Sequence, residues 1–324
     1  MKVAIVSTSR IVAEFVTILQ DLPEVTVTAL CCRPQSRPKA EAWAAQYPIG
    51  TIYTDEAALL DAGGFDAVYI GTANHLHYAT ARRVLEAGYH VILEKPFTVT
   101  AAEARDLFAL ADAKGVMLFE AITTPYLPEY RFLLEQLPAI GPVHGAMASF
   151  CARSRRYNEF CQGVWNTTFD PACHGGALND MNVYNLHYLW GLLGTPQRAV
   201  YHPTRAANGI DISGLAVLEY PDVSAACLAA KDADGENGCV IQGPQGRLVL
   251  RGGTNALEEV WAVHGGGDRL YAPKKTRHRM AYEFAAFARM IENGDRAEEA
   301  QARRRTLAVM DLLDQLHRSA GAQG

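Results

Sequence analysis

One apolar stretch carries three side chains able to do chemistry. In GGALNDMNVYNLHYLWGLLG (175–194), Asp180, Tyr184 and His187 stand at i, i+4 and i+7. That spacing puts a carboxylate, a phenol and an imidazole on one helical face. Such a stripe is odd for a core helix and suits a polar substrate, with Met181, Leu189 and Trp190 supplying much of the helix's apolar surface. A tyrosine transfers protons near neutrality only beside a cation, because its ordinary pKa is about 10. A candidate cation lies upstream: HVILEKP (90–96) reads as a strand stopped by Pro96. Lys95 then sits at the carboxyl edge of the sheet, where open α/β folds bind ligands. Each residue also has a plain structural reading: Lys95 as a strand-end lysine, Tyr184 as a half-buried aromatic, His187 as a hydrogen-bonded interior group.

The first third of the chain alternates short apolar runs with amphipathic stretches. Strands are expected at 3–6, 25–32, 65–72, 90–96 and 116–121, and helices at 39–47, 77–89 and 101–115. A first helix should carry Ile11, Phe15 and Ile18 on one face. This order implies a mainly parallel sheet with right-handed crossovers. Beyond residue 121 the strand-like runs become adjacent: VHGAMASFCAR, RAVYHPT, GLAVLEYP, VSAACLAAK, GCVIQGP and GRLVLRG. RMAYEFAAFARMIENG and a long final helix follow, and only the terminal AGAQG looks loose. The expectation is an α/β domain over 1–120 and an α+β domain over 121–324, with a large, mostly antiparallel sheet covered by helices on one face.

The first turn reads STSRIV where a dinucleotide-binding turn has G-x-G-x-x-G, so Ser7, Ser9 and Val12 occupy the glycine positions. Read alone, this leaves open a βαβ domain that has lost its ligand. The physics is more permissive than the pattern. Free N–H groups at a helix start and the helix dipole attract phosphate without glycine. Ser7, Ser9, Arg10 and Ile11 are therefore candidate cofactor contacts, with serine hydroxyls as added donors and strain at any position with φ above zero. The second strand ends Cys31-Cys32-Arg33. No carboxylate awaits a ribose 2′-hydroxyl, and Arg33 would meet a 2′-phosphate, which favours NADP over NAD.

Composition narrows the classes. The 324 residues are 49% hydrophobic and 20% charged, with a formal net charge of −5, which gives no footprint for nucleic acid. No apolar run approaches the roughly 20 residues that span a bilayer. The N-terminus enters a strand directly, without the features of a signal peptide. Seven scattered cysteines (31, 32, 151, 161, 173, 227, 239) form no C-x-x-C pair, so a reducing cytoplasm is expected. His75, His77 and Asp180 make no convincing metal set, and no metal is expected. Cys31 and Cys32 read as packing residues.

Together, GTANHLHYATA (71–81), EKP (94–96) and the 175–194 helix resemble the Gfo/Idh/MocA oxidoreductases. FEAITTPYLPEY (119–130) resembles that family's crossing into its second domain, and the resemblance covers essentially the whole chain. Within the family it is nearest the dimeric dihydrodiol dehydrogenases and their bacterial relatives, which carry tyrosine where inositol dehydrogenases carry histidine. The resemblance implies a Rossmann-type doubly wound N-terminal domain holding NAD(P). It also implies a C-terminal sheet that walls the substrate cleft and packs against a partner subunit, giving a homodimer. Lys95 matches the lysine beside the nicotinamide. Thr72, Asn74, His77 and Glu94 match cofactor-lining positions, and Asp180 and Tyr184 match the carboxylate and the proton-transfer residue. His187 is a candidate substrate contact. The implied activity is hydride transfer between nicotinamide and a hydroxyl- or carbonyl-bearing carbon of a sugar, cyclic polyol or dihydrodiol. Two rivals stay open: a non-catalytic nucleotide- or sugar-binding sensor, and an enzyme that recycles a tightly held cofactor. A face of apolar side chains from LAVLEY and ACLAA is expected on the C-terminal sheet.

Overall fold

The apolar runs of the first 121 residues form six parallel strands, and the segments between them form helices. In order these are β1 (Lys2–Val6), α1 (Arg10–Thr17), β2 (Thr26–Cys31), α2 (Arg37–Ala44), β3 (Ile49–Tyr53), α3 (Glu56–Ala62), β4 (Ala67–Ile70), α4 (His77–Glu86), β5 (His90–Glu94), α5 (Ala101–Lys114) and β6 (Leu118–Ala121). The computed structural model describes residues 1–265 and 267–321; the last three residues of AGAQG lie outside that set. Strand order is β3-β2-β1-β4-β5-β6, the doubly wound arrangement whose ligand crevice opens where the order reverses, at the carboxyl ends of β1 and β4. β4 is buried throughout, as is β5 after its first residue, as strands covered on both faces must be. A capping box starts α5, where Thr100 and Glu103 satisfy each other's backbone N–H groups.

β3 and α3 go beyond the sequence reading, which passed from the helix at 39–47 to the strand at 65–72. β3 is an edge strand with no fully buried residue, so no continuous apolar run announces it. The first helix also turns slightly from expectation. Val12, Phe15 and Val16 are its buried face, while Ile11 stays half-buried.

Arg277–Leu307 belongs to this same unit, although the sequence reading assigned it to the second domain. The segment holds α9 (Arg279–Asn293) and the start of α10 (Arg296–Gly321). Its aromatic residues explain the placement. Phe284 stacks on Phe15 at 4.2 Å and meets Tyr69 edge-on at 5.0 Å, and Phe287 stacks on Phe119 at 4.8 Å. Each such pair adds about 0.5–1.5 kcal/mol beyond its area burial. Arg277 pairs with Glu24 and Arg303 with Asp112, which ties the segment down at both ends.

The second unit comprises Ile122–Thr276 and the described residues from Ala308 onward. It contains α6 (Pro128–Gln136), β7 (Gly145–Cys151), α7 (Tyr157–Cys161), α8 (Val183–Leu193), β8 (Arg198–Arg205), β9 (Asp211–Glu219), β10 (Ser224–Ala230), β11 (Gly238–Gly243), β12 (Gly246–Arg251), β13 (Glu259–His264) and β14 (Arg269–Tyr271). Its eight strands run in the order β14-β13-β12-β11-β7-β10-β9-β8. All neighbours are antiparallel except β7 and β10. The six expected strands are present; β13 and β14 are additional.

Helix α8 is buried on nearly every side, from Val183 to Leu189. Met181 and Trp190 are only half-buried, so Val183, Leu186, Tyr188 and Leu189 carry the apolar load instead. Polar staples join this helix to the sheet. Asn182 Nδ2 donates to the Cys227 carbonyl at 3.1 Å, and Asn185 Nδ2 donates to the Leu228 carbonyl at 3.1 Å. The Thr254 hydroxyl donates to Asn185 Oδ1 at 2.8 Å. Both asparagines are fully buried, and leaving such partners unmade would cost about 1–3 kcal/mol each.

The outward side chains of the sheet are apolar, as expected from LAVLEY and ACLAA. Met147 is 71% exposed, Leu228 43%, and Leu215 and Val240 37% each. Register aligns them: Val240 pairs with Met147, Met147 with Ala226, Ala226 with Val217, and Leu228 with Leu215. Among the described residues, no helix is long and apolar enough to cross a membrane.

Candidate active site

The turn after β1 replaces glycine by other means. Ser7 has φ +118°, a region that glycine enters freely and other residues enter with strain. Its own side chain offsets part of that strain: Ser7 Oγ accepts the Ser9 N–H at 3.0 Å, and Ser7 N–H donates to the Cys31 carbonyl at 2.9 Å. The ladder of α1 begins with Ala13 N–H donating to the Ser9 carbonyl at 2.9 Å. The N–H groups of Arg10, Ile11 and Val12 therefore lie outside the ladder at the positive end of the helix, suited to an anion. The expected hydroxyl donors behave differently. The Ser7 oxygen serves as an acceptor within the loop. Ser9 Oγ and Thr72 Oγ1 are buried, and neither has a hydrogen-bond partner among the described residues. Free helix-end donors and two unsatisfied hydroxyls fit a nucleotide's phosphates and ribose better than a closed loop would.

The third glycine of such turns normally lets the helix approach the sheet. Here Val12 occupies that position, and the space comes from the neighbouring strand. A Cβ placed on Gly71, just past β4, would lie 2.6 Å from Val12 Cγ2 and 3.3 Å from Ser9 Oγ. The close packing is kept, with its small residue moved from α1 to the end of β4.

Around the crevice, Arg33 is exposed directly after β2. Lys39, which the sequence reading did not single out, donates from Nζ to the Thr8 carbonyl at 2.6 Å and so ties α2 to the β1–α1 turn. Cys31 and Cys32 are buried, and burial pushes the Cys31 thiol up to about 12. At the ends of β4 and β5, Thr72, Asn74 and Lys95 are half-buried.

Two expected cofactor-lining side chains point inward instead. His77 is fully buried, with Nδ1 3.0 Å from the Pro96 carbonyl and Nε2 3.2 Å from the Thr72 carbonyl. A neutral imidazole donates to one of these at a time, and burial holds its pKa below the usual histidine range. It braces the segments that carry Thr72 and Lys95. Glu94 Oε1 accepts the Tyr69 hydroxyl at 2.7 Å, and Oε2 accepts the Lys95 N–H at 3.2 Å. Burial pushes this carboxyl up to about 7. Glu283 of α9 is also fully buried; burial, and then the charge of Glu94, hold it well above the usual carboxylate range.

In the second unit, the paired glycines before α8 are set by close approach. A Cβ on Gly175 would lie 2.2 Å from the Thr168 carbonyl oxygen, and one on Gly176, at φ +93°, would lie 1.9 Å from Asp211 Oδ1. Asp211 comes close because its Oδ2 accepts the Leu178 N–H and the Tyr201 hydroxyl, both at 2.7 Å. It thereby anchors a π turn over Leu178–Asn182 that leads into α8. The single α-helix expected over this stretch is thus a wide turn followed by a regular helix, an irregularity common at functional sites.

Burial rises along the stripe. The Asp180 side chain is 41% exposed, Tyr184 7% and His187 0%. Tyr184 meets the Phe150 ring edge-on at 5.8 Å. His187, expected as a substrate contact, is an interior residue. Asp180 forms an ion pair with Lys231, whose side chain is 2% exposed. Lys231 ends VSAACLAAK, where a strand-end lysine ordinarily reads as surface, so the sequence carried no signal for it. No group of three or more His, Cys, Asp or Glu suited to hold a metal occurs among the described residues.

Two outcomes test this arrangement. Gly71→Ala should lower stability by about 1–3 kcal/mol through overpacking, and Val12→Ala in the same chain should recover part of the loss. The coupling, on the order of 0.5–3 kcal/mol for residues in contact, is read from urea midpoints; strictly additive losses would refute the shared space. The second outcome concerns pH. The folded pKa of Glu94, about 7, lies above the unfolded value of about 4.3. Its stabilising share is therefore complete below about pH 4.3 and lost as pH rises through 7. Glu94→Gln should flatten the decline of the urea midpoint over that window, and an unchanged slope would assign the titration to another group.

The Gfo/Idh/MocA model, described as an oxidoreductase family with an NAD-binding Rossmann fold, matches residues 1–122. The scyllo-inositol 2-dehydrogenase (NADP(+)) IolU of Bacillus subtilis is 28% identical over 323 residues, 99% of this chain and 97% of that protein. The trans-1,2-dihydrobenzene-1,2-diol dehydrogenase of Oryctolagus cuniculus is 30% identical over 262 residues, 79% of this chain and 75% of that one. In fold, the 3-ketoreductase KijD10 of Actinomadura kijaniata, solved with NADP and TDP-benzene, aligns with a TM-score of 0.85 at 24% identity, covering 98% and 97% of the two chains. An anion-ready helix start at the sheet's switch point, Lys95 at its edge, the Asp180–Tyr184 stripe and these likenesses lead to one conclusion: the chain belongs to the Gfo/Idh/MocA family of NAD(P)-dependent oxidoreductases.

Proposed function

We propose that the protein transfers hydride between NADP, or less favourably NAD, and a hydroxyl- or carbonyl-bearing carbon of a sugar, cyclic polyol or dihydrodiol. The observation that carries this reading is Lys95 at the carboxyl edge of β5 together with a stripe on which Tyr184 is buried and the Asp180 side chain stays 41% exposed. Relatives named for inositol, dihydrobenzenediol and xylose substrates support the ring-polyol class. A non-catalytic sensor is disfavoured because binding alone has no need of Lys95, Asp180 and Tyr184 together.

The nicotinamide, when bound, supplies the hydride acceptor in oxidation and the donor in reduction. In oxidation Tyr184 takes the substrate hydroxyl proton, and in reduction it returns that proton. The Lys95 ammonium polarises the substrate oxygen, so that its proton passes to or from Tyr184 more readily. Asp180 orients a substrate hydroxyl. Arg10 and Ile11 hold the phosphates through backbone donors, Ser7 shapes the turn that presents them, and Arg33 holds the 2′-phosphate. We further propose a homodimer through the apolar row of Val240, Met147, Leu228 and Leu215, since an isologous pair is the commonest way to cover such a face. The buried thiols suit a reducing compartment such as the cytoplasm.

Wild type should bind NADP more tightly than NAD, and Arg33→Ala should lose about 1.5–3 kcal/mol of NADP affinity alone; equal losses for both cofactors in a fluorescence titration would remove the role of Arg33. Lys95→Met and Tyr184→Phe should each cut kcat by about 10²–10⁴ while leaving NADP affinity nearly intact. The double variant should lose little more than the worse single. Wild-type kcat and pH profile in Tyr184→Phe, on any substrate turned over from a polyol and dihydrodiol panel, would exclude it as proton carrier. Light scattering at micromolar concentration should report a dimer that Leu228→Glu dissociates; a monomeric wild type counts against the interface.

A further inference from the structure

Lys231 stands where a strand end would ordinarily expose its lysine, yet it is buried. Its Nζ donates to Asp180 Oδ2 and lies 5.3 Å from the centroid of the Phe169 ring. Phe169 is itself held in an apolar cluster with Ile210 and Ile212. The backbone of Lys231 is fixed on both sides: its N–H donates to the Ile212 carbonyl, and its carbonyl accepts the Ser154 N–H, both at 2.8 Å. A cation anchored in this way reaches its carboxylate from the interior. It differs from the mobile surface pairs that add little.

A stability role explains the pair poorly. Desolvating a lysine costs about as much as the pair regains, and apolar replacements of buried pairs are often neutral. The asymmetry of exposure points elsewhere. Lys231 is sealed, while 41% of the Asp180 side chain remains open. Other ionisable groups at this turn include Asp211, which anchors Leu178, His317, which meets Asn179 Oδ1 at 2.8 Å, His174, whose carbonyl accepts from Asn179 Nδ2 at 3.2 Å, and Asp232, the next residue along. Burial draws both Asp211 and His317 toward their neutral forms. Lys231 meets Asp180 directly.

We propose that Lys231 is a positioning residue that keeps Asp180 ionised and aimed, so that Asp180 serves as a fixed acceptor for a hydroxyl of the substrate ring and never as its proton donor. This assignment rests on the dehydrogenase reading above and leaves proton transfer to Tyr184. The π turn brings Asp180 over the end of β10, so the acceptor is built jointly by two elements distant in sequence.

The test uses the full chain, with Asp carboxyls labelled by ¹³C and the Asp180 resonance identified by Asp180→Asn. Wild-type Asp180 should titrate below the ordinary value of about 3.9. Lys231→Met, which keeps the stem without the charge, should raise the midpoint by at least about one pH unit. Lys231→Arg should stay near wild type. NADPH binding should be unchanged in both variants, and the acidic limb of kcat/KM on a polyol that wild type turns over should move upward with the midpoint in Lys231→Met. Equal midpoints in wild type and Lys231→Met overturn the proposal, as does an acidic limb that ignores the shift. Should Lys231→Met fail to fold, a wild-type midpoint at or above 3.9 overturns it, and a lower midpoint retained in Lys231→Arg supports it. No turnover by wild type on the whole panel with either cofactor would overturn the dehydrogenase reading instead, and the titration would still decide whether Lys231 sets the charge of Asp180.

Discussion

How near α1 can come to the end of β4 determines the whole nucleotide edge. Phosphate-binding N–H groups are useful only if the start of the helix sits at the switch point of the sheet, and a helix reaches that point only where side chains leave room. With Val12 on the helix, the room has to come from the strand, and Gly71 supplies it. Ser7 then takes a backbone conformation meant for glycine and is steadied by its bond to Ser9. His77 holds the Thr72 and Pro96 segments beside one another. Changing the packing at Gly71 would shift every one of these groups.

The second unit solves a related problem with polar atoms. An apolar helix can slide on an apolar sheet, because hydrophobic burial has no direction. Asn182 and Asn185 remove that freedom by bonding to carbonyls of β10, and Asp211 fixes the entry through Leu178. The stripe of Asp180 and Tyr184 is thus held by directional bonds from the residues between and beside them. Orientation there is set by hydrogen bonds, and stability by Val183, Leu186 and Leu189.

Much of this was legible in the residues. Consecutive buried strands announce themselves by unbroken apolar runs, so β1, β4 and β5 could be read directly. EKP and the G-G-x-L-x-D helix marked Lys95, Asp180 and Tyr184. What escaped was whatever depends on pairs distant in sequence. β3 has no buried run because it lies at the sheet's edge. Lys231 looks like a surface residue until Asp180 and Phe169 are seen around it. Glu94 and His77 match cofactor-lining positions by resemblance, yet their side chains turn inward, because Tyr69 and the Pro96 carbonyl offer bonds there. The glycine pattern failed as a guide because clearance between two elements belongs to both of them, whereas a pattern is written along one.

The return of α9 to the first unit also bears on how the chain is made. Phe15, Tyr69 and Phe119 emerge from the ribosome early, but their partners Phe284 and Phe287 come more than half a chain later. At synthesis rates of about 5–20 residues per second, the nascent sheet waits on the order of ten seconds with an aromatic face uncovered. The first unit therefore cannot finish folding before residues 122–276 of the second have been synthesised. For this chain, vectorial synthesis makes the N-terminal half dependent on the C-terminal one, and the exposed interval is when a nascent-chain chaperone would have most to do.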